Sequence, residues 1–256
     1  MVQPSNTGYA IPTITPTVSP AASGVLGAAV LANPSSHALL ATSRVIFDQK
    51  DLPCCVSCAL SAAMEVRNPD WPELSPLFHY YVTRYDDLSA NSDGFLSISD
   101  SLASLSASGI CAKSQHSPPF TSAGATTKPT TPAYADGRNR TLGRRGFRRR
   151  YSFAAGPSKA AWARDQLARN YPIIIGIRLP MAYPDGFLNR QFEWRDPNMP
   201  LSNSGHCVLA IGYNDARQAL RIQDSRGPKS FDGGRWWMSY GLLDSSVVQE
   251  AYCLLP

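Results

Sequence analysis

The chain has 256 residues, 43% of them hydrophobic, and a formal net charge of +5. That is enough apolar material to bury a core as one domain or as two packed halves, and no apolar run reaches the roughly 18 residues needed to span a bilayer. The positive balance is local, because seven arginines fall between Arg138 and Arg150.

Residues 1 to 43 contain no Asp, Glu, Lys or Arg, and prolines recur at positions 4, 12, 16, 20 and 34. Such a segment is expected to be extended and cannot build a core of its own. Ala21 to Ala32 is apolar and rich in small residues, but no basic flank precedes it, as a secretory signal would require. A Pro/Ser/Thr-rich tail is the reading the composition favours. Three helices are expected next. The first runs from the cysteine cluster at 54–58 to about Val66, with Asn68-Pro69 as its stop. Leu77, Tyr80, Tyr81 and Arg84-Tyr85 form an amphipathic second. Ile98, Leu102 and Leu105 share a face of the third, preceded by Ser97 and Asp100 in capping-box register and ended by Gly109.

Ala112 to Ala133 reads as a Ser/Thr/Pro-rich loop that crosses to a second half. A short helix is expected over Lys159 to Arg169, then a buried strand through Ile173 to Ile177. Met181 to Ser204 reads as irregular. Strands are expected over 206–213 and 219–224, joined at Asn214-Asp215, and over Trp236 to Tyr240. Helices followed by strands make an α+β chain.

The chemistry concentrates at three places in order. Gln49 stands six residues before Cys55, Gly205-His206 opens an apolar strand, and Asp224 follows eighteen residues later. A thiol nucleophile needs a base to take its proton, a third group to orient that base, and donors for the oxyanion. Cys55 would open the first helix, where the positive end of the helix dipole favours thiolate. A core cysteine is the bland alternative, since Cys54 and Cys58 stand beside it. Cys55-Val56-Ser57-Cys58 also spells C-x-x-C, but no strand precedes it in a βαβ pattern, and no second pair is spaced to complete a zinc site. No metal and no cofactor are expected.

Spacing and order resemble the papain-like cysteine peptidases, bacterial type, on three motifs: Asp48-Gln49 with Cys55, the run Gly205-His206-Cys207-Val208-Leu209-Ala210-Ile211-Gly212-Tyr213, and Asp224-Ser225. The 151 residues from Cys55 to His206 are close to the roughly 130–150 of papain-type enzymes. The resemblance implies an α+β papain-like fold, a helical half (about 49–112) packed against a β-barrel-like half (about 134–256), with the active-site cleft between them. It implies a cysteine endopeptidase acting through a thioacyl-enzyme: Cys55 attacks, His206 is the base and lowers the thiol pKa as an imidazolium, Asp224 orients it, and Gln49 serves the oxyanion. Gly94, after Ser92-Asp93, would pair with substrate backbone, and Gly205 would border the site. Protein or peptide substrates, a monomer, and secretion or delivery to a host are expected.

Two departures stand out. Asp224 occupies a position that is usually Asn, and Arg226 replaces the usual tryptophan after the serine; Trp236 or Trp237 would have to supply the missing indole. The family's cysteine three residues before the nucleophile is Leu52 here, so few or no disulfides are expected, Cys54 with Cys111 being the least implausible pair. Residues 1–29 would be an extended pro-like segment, either a plain disordered leader or a strap that lies in or across the cleft and restrains activity, and 30–256 the catalytic domain. A non-catalytic or acyl-transferring protein of the same fold, binding a host or polyanionic partner, is the alternative. Arg138 to Arg150 could bind phosphates or nucleic acid, but without interleaved aromatics a solvated loop is the better reading.

Overall fold

The computed structural model describes residues 10, 34–87, 94–143, 148–150, 159–181 and 192–255. The expected tail apart from Ala10, Ser92-Asp93 and the middle of the arginine run (144–147) therefore lie outside the described residues.

The helical half is built around α1, Cys55–Arg67. Its residues from Cys55 to Val66 are all buried, which suits a helix of alanines, serines and small apolar side chains enclosed on every face. The polar members are satisfied locally. Ser61 Oγ donates to the Ser57 carbonyl at 2.7 Å, and Ser57 Oγ meets His79 Nδ1 at 2.9 Å. The helix stops where Asn68 precedes Pro69, its backbone and side-chain N–H both turned onto the Met64 carbonyl. Helix α2, Pro76–Val82, begins with Ser75 accepting from the Phe78 N–H and with Pro76 at its first position; it runs on into a π-turn, Thr83–Asp87. Helix α3, Ile98–Ala107, is capped by Ser97. Gly109 follows at φ +72°, and a Cβ there would stand 2.1 Å from the Gly137 carbonyl oxygen, so the reversal needs glycine.

The crossing segment departs from the expected loop. It holds two short helices, α4 (Ser122–Ala125) and α5 (Thr131–Gly137). Thr121 caps the first through its hydroxyl, and Pro132 sits near the start of the second. The residues that read as loop punctuation serve here as helix starts.

The second half begins with β1 (Ser36–Ala38) and β2 (Arg148–Arg150), which come from earlier in the chain, and continues with α6 (Lys159–Ala168), β3 (Ile173–Pro180), β4 (Glu193–Trp194), β5 (Leu201–Asn214), β6 (Ala219–Gln223), β7 (Arg235–Ser239), α7 (Tyr240–Leu243) and β8 (Val248–Leu255). The strand order is β2-β8-β3-β5-β6-β7-β4, with β1 added to β5. All pairs are antiparallel except β4 with β7. The path is open at both ends, so the β half is a sheet and not a closed barrel. Strand β5 starts at Leu201, five residues before His206, within the stretch read as irregular; it pairs with Pro180 beyond an irregularity in β3. The core is continuous across both halves, with α1 packed on β5 and with Ile173, Ile174, Ile175, Val208 and Ile211 buried beneath it.

All six cysteines are free and buried. Cys54 lies in the core under α1 and its sulfur faces Cys58 at 3.9 Å, whereas Cys111 belongs to a separate cluster around Phe78 and Val82. The least implausible pair, Cys54 with Cys111, is not formed, in line with the expectation of few or no disulfides: the two thiols serve different apolar clusters.

Candidate active site

The backbone first brings the three motifs together. Gln49 N–H donates to the Ser225 carbonyl at 2.8 Å and Gly227 N–H to the Phe47 carbonyl at 2.9 Å, with Asp48 bridged to Arg226. Segment 47–49 is thus zipped, antiparallel, to segment 225–227, immediately after Asp224. Gly227 has φ +82°, and a Cβ on it would meet the Asp48 carboxyl at 2.9 Å. Tight reversals at Leu52 and Cys54 then carry the chain into α1, and Cys55 takes its first position.

Strand β5 supplies the opposite wall. His206 lies across from Ile177 and Cys207 across from Gly176. The backbone N–H groups of Cys207 and Val56 both hydrogen-bond to the Cys55 thiol, which sets the sulfur one residue from the imidazole in the strand. His206 and Cys55 are fully buried. His206 Nε2 meets Asp224 Oδ1 at 2.9 Å. The imidazole side facing away from Asp224 is Nδ1, the nitrogen suited to exchange a proton with a thiol.

Asp224 is held from three sides. Besides the imidazole, Oδ1 accepts the Ser225 N–H at 2.8 Å, and Oδ2 accepts the Trp236 indole N–H at 2.9 Å. Burial alone would raise its pKa, but the His206 charge and hydrogen bond, Arg226 and the Trp236 N–H outweigh that and hold it below the ordinary carboxylate value. The missing indole therefore has a substitute from another strand. Trp236 is almost fully buried, whereas Trp237, only partly buried on the other face of β7, lies against the guanidinium groups of Arg217 and Arg221.

The thiol reverses an expectation. Burial pushes Cys55 well above the usual thiol range, and the neighbouring Cys54 and Asp224 add to the rise; the N–H groups of Cys207 and Val56 pull the other way without overcoming it. A helix start and an adjacent imidazole do not suffice to keep a thiolate where no solvent reaches the sulfur. In this closed arrangement the thiol is protonated.

Gln49 is buried and immobilised. Its Oε1 accepts the Ser225 hydroxyl at 2.5 Å and its Nε2 donates to the Leu52 carbonyl at 2.8 Å, inside the loop that leads to Cys55. Gly205 sits opposite Arg178 at the entry of the paired region of β5. Gly94 is further off, in the helical half, where its carbonyl accepts the Tyr80 hydroxyl at 3.1 Å. Ser225 and the Cys207 N–H are the participants that motif reading did not single out as site residues; Trp236 was one of two candidates for the missing indole. Ser225 follows Asp224 directly and was open to discovery. Among the described residues no group of three or more His, Cys, Asp or Glu is placed to hold a metal, and no helix is long and apolar enough to cross a membrane.

This arrangement is the papain-like fold, with a cysteine at the start of the central helix and a histidine on the strand packed against that helix. Xylellain, a cysteine protease from Xylella fastidiosa, superposes with a TM-score of 0.77 at 22% identity over 99% of this chain and 98% of its own. Procathepsin L 3 of the Tenebrio molitor larval midgut gives 0.67 at 15% identity over 98% of this chain and 77% of its own. A Carica candamarcensis cysteine protease in complex with E-64 gives 0.62 at 14% identity, covering 86% and 98%. No protein-family model and no curated protein matches the sequence.

Proposed function

We propose that the chain is a cysteine endopeptidase. The carrying observation is that His206 is bonded to Asp224 at 2.9 Å while the next residue of the strand hydrogen-bonds to the Cys55 thiol. In the reaction, His206 Nδ1 takes the thiol proton as Cys55 Sγ attacks a peptide carbonyl. The oxyanion so formed is met by the Cys55 backbone N–H and the Gln49 amide, each donor being worth a few kcal/mol. The imidazolium then protonates the leaving amine, and a water deprotonated by His206 hydrolyses the thioester. Asp224 keeps the imidazole in the required tautomer and stabilises its charged form.

The tail is read as a restraint on this chemistry. Its one described residue, Ala10, donates its N–H to the Leu96 carbonyl at 3.1 Å, two residues beyond Gly94 on the rim of the helical half. That contact, with the sealed Cys55 and His206, supports a strap that has to leave before substrate enters. Prolines already limit its freedom, so ordering it costs little. Deleting residues 1–29 and following labelling by an epoxysuccinyl thiol-protease inhibitor tests both readings. Faster labelling, on Cys55 alone, is expected. Labelling of no cysteine would reject the peptidase, and an unchanged rate on Cys55 would reject only the strap.

A further inference from the structure

A second concavity lies in the helical half, apart from Cys55 and His206. It has a volume of about 280 Å³ and is lined by Val45 to Asp48 and Lys50, by residues 73–77 leading into α2, and by parts of 113–120 of the crossing segment. That size is at the small end of pockets that take a single small molecule. Its walls are apolar, with Phe47, Leu77 and Phe120 among them, but its polar groups are not those of an ordinary crevice.

His116 lines the pocket and is 7% exposed. Its Nε2 is buried with no hydrogen-bond partner among the described residues, although the ring is set in place edge-on to Phe78. Burial lowers its pKa, and in the neutral tautomer with the ring proton on Nε2 that atom has one hydrogen bond to donate. A buried polar atom costs stability until a partner meets it. The mouth carries Lys50 and Lys113. Each gives one ammonium contact to a neighbouring acid, Lys50 to Asp48 at 2.5 Å and Lys113 to Glu73 at 2.7 Å, and an ammonium has three donors. Asp48 is already engaged at both oxygens, since Oδ1 also accepts the Lys50 backbone N–H. Donors are therefore in surplus, above an apolar floor.

We infer that this pocket binds a small aliphatic or aromatic carboxylic acid, its apolar body between Phe47, Leu77 and Phe120 and its carboxylate between His116 and the two lysines. An amine of the same shape would face the two ammonium groups while Asp48 and Glu73, which also line the pocket, are already taken up by those lysines, so it binds more weakly. A neutral amide can meet His116 alone and binds more weakly. The site is independent of the proposed peptidase chemistry, although it touches Phe47 and Asp48 on the near side of Gln49.

The test uses the full chain with ¹⁵N-labelled histidine, titrated with sodium hexanoate, hexanamide and hexylamine while the ring nitrogens of His116 are followed by NMR. Hexanoate is expected to shift the His116 signals saturably in the millimolar range, and hexanamide and hexylamine at least several-fold more weakly. In Lys113→Glu, a change at an exposed rim position that leaves the fold alone, hexanoate should bind at least several-fold more weakly. Leu77→Trp, which fills the floor, should abolish the shift; if that variant does not fold, the Lys113→Glu result decides. Unmoved His116 signals with hexanoate, equal responses to hexanoate and hexylamine, or undiminished binding by Lys113→Glu would each overturn the assignment. Because binding is read at His116, failure here leaves the Cys55 labelling result untouched.

Discussion

Trp236 Nε1 donates to Asp224 Oδ2 at 2.9 Å, on the carboxylate oxygen opposite the one that meets His206. This pairing gives a physical reason for a carboxylate at position 224. An asparagine there can offer one oxygen, to His206 or to Trp236, but its amide nitrogen would then oppose an N–H. Only two acceptor oxygens satisfy both neighbours.

Asp224→Asn is accordingly expected to lose activity despite keeping an acceptor for His206. A buried donor facing a donor costs about 1–3 kcal/mol, or roughly ten- to a hundredfold in kcat/KM. The double variant Asp224→Asn with Trp236→Phe removes the opposing N–H and should recover several-fold. Peptide hydrolysis by the two variants side by side checks it; a double variant no better than Asp224→Asn alone would show that Trp236 does not govern the choice.

Cys55→Ala should abolish hydrolysis while Cys54→Ala and Cys58→Ala retain most of it. The Cys55 sulfur receives the Cys207 N–H, whereas those of Cys54 and Cys58 face each other at 3.9 Å. Mass spectrometry of the inhibitor-labelled chain should find the adduct at 55, and an adduct at 58 would move the nucleophile by a helical turn.

Glu65 is buried in α1, its Oε1 accepting the Leu74 N–H at 2.7 Å. Burial raises its pKa from 4.5 to about 7, with Glu73 adding and the Leu74 N–H, Arg44 and Lys113 opposing. A carboxyl with a raised folded-state pKa binds a proton in the native chain that the unfolded chain has released between pH 4.5 and 7. Its contribution is fully present below pH 4.5 and is lost as pH rises through 7. Glu65→Gln keeps the acceptor and removes the titration. Relative to wild type it should gain roughly 2–3 kcal/mol between pH 4.5 and 8, read from urea midpoints. A parallel pair of pH profiles would contradict the assignment.

His79 works in the opposite direction. It joins α1 to α3, with Nδ1 meeting Ser57 Oγ at 2.9 Å and Nε2 meeting the Ser101 carbonyl at 3.0 Å, and burial lowers its pKa from 6.5 to about 4. The unfolded chain takes up a proton below pH 6.5 that the native one refuses, so stability falls with pH from 6.5 toward 4. His79→Gln should be less stable at pH 7.5 and lose less on acidification to pH 5. If both proteins lose the same amount over that interval, His79 is not the group responsible.

Much of the helical half was legible because its signals are local. Ser97 and Gly109 bound α3 within a few residues of the chain they cap, and the Asn68-Pro69 step ends α1 where the preceding turn requires it. Gln49, Cys55, His206 and Asp224 were proposed as a set from order and spacing, and of these the structure places His206 against Asp224 at 2.9 Å. The crossing segment misled, since the Thr and Pro that punctuate loops are equally good helix starts, and only contact with the rest of the half selects between them. Strand β1 pairs with β5 and β8 lies between β2 and β3, so their partners stand well over a hundred or about seventy or more residues away, beyond any local pattern.

The residue types and their spacing determined that a thiol, an imidazole and a carboxylate would be available on this chain, because each motif sits in a short segment with its own backbone geometry. Adjacent strand residues face opposite sides, so the pair Trp236-Trp237 could place one indole inward without saying which. The register of β7 on β6, Ile222 opposite Trp236, decided that. It turned Trp236 toward Asp224 and left Trp237 among arginines. Tertiary structure alone also sealed the Cys55 thiol away from solvent and so set it protonated, since desolvation is a property of everything packed around a group and not of its neighbours in sequence.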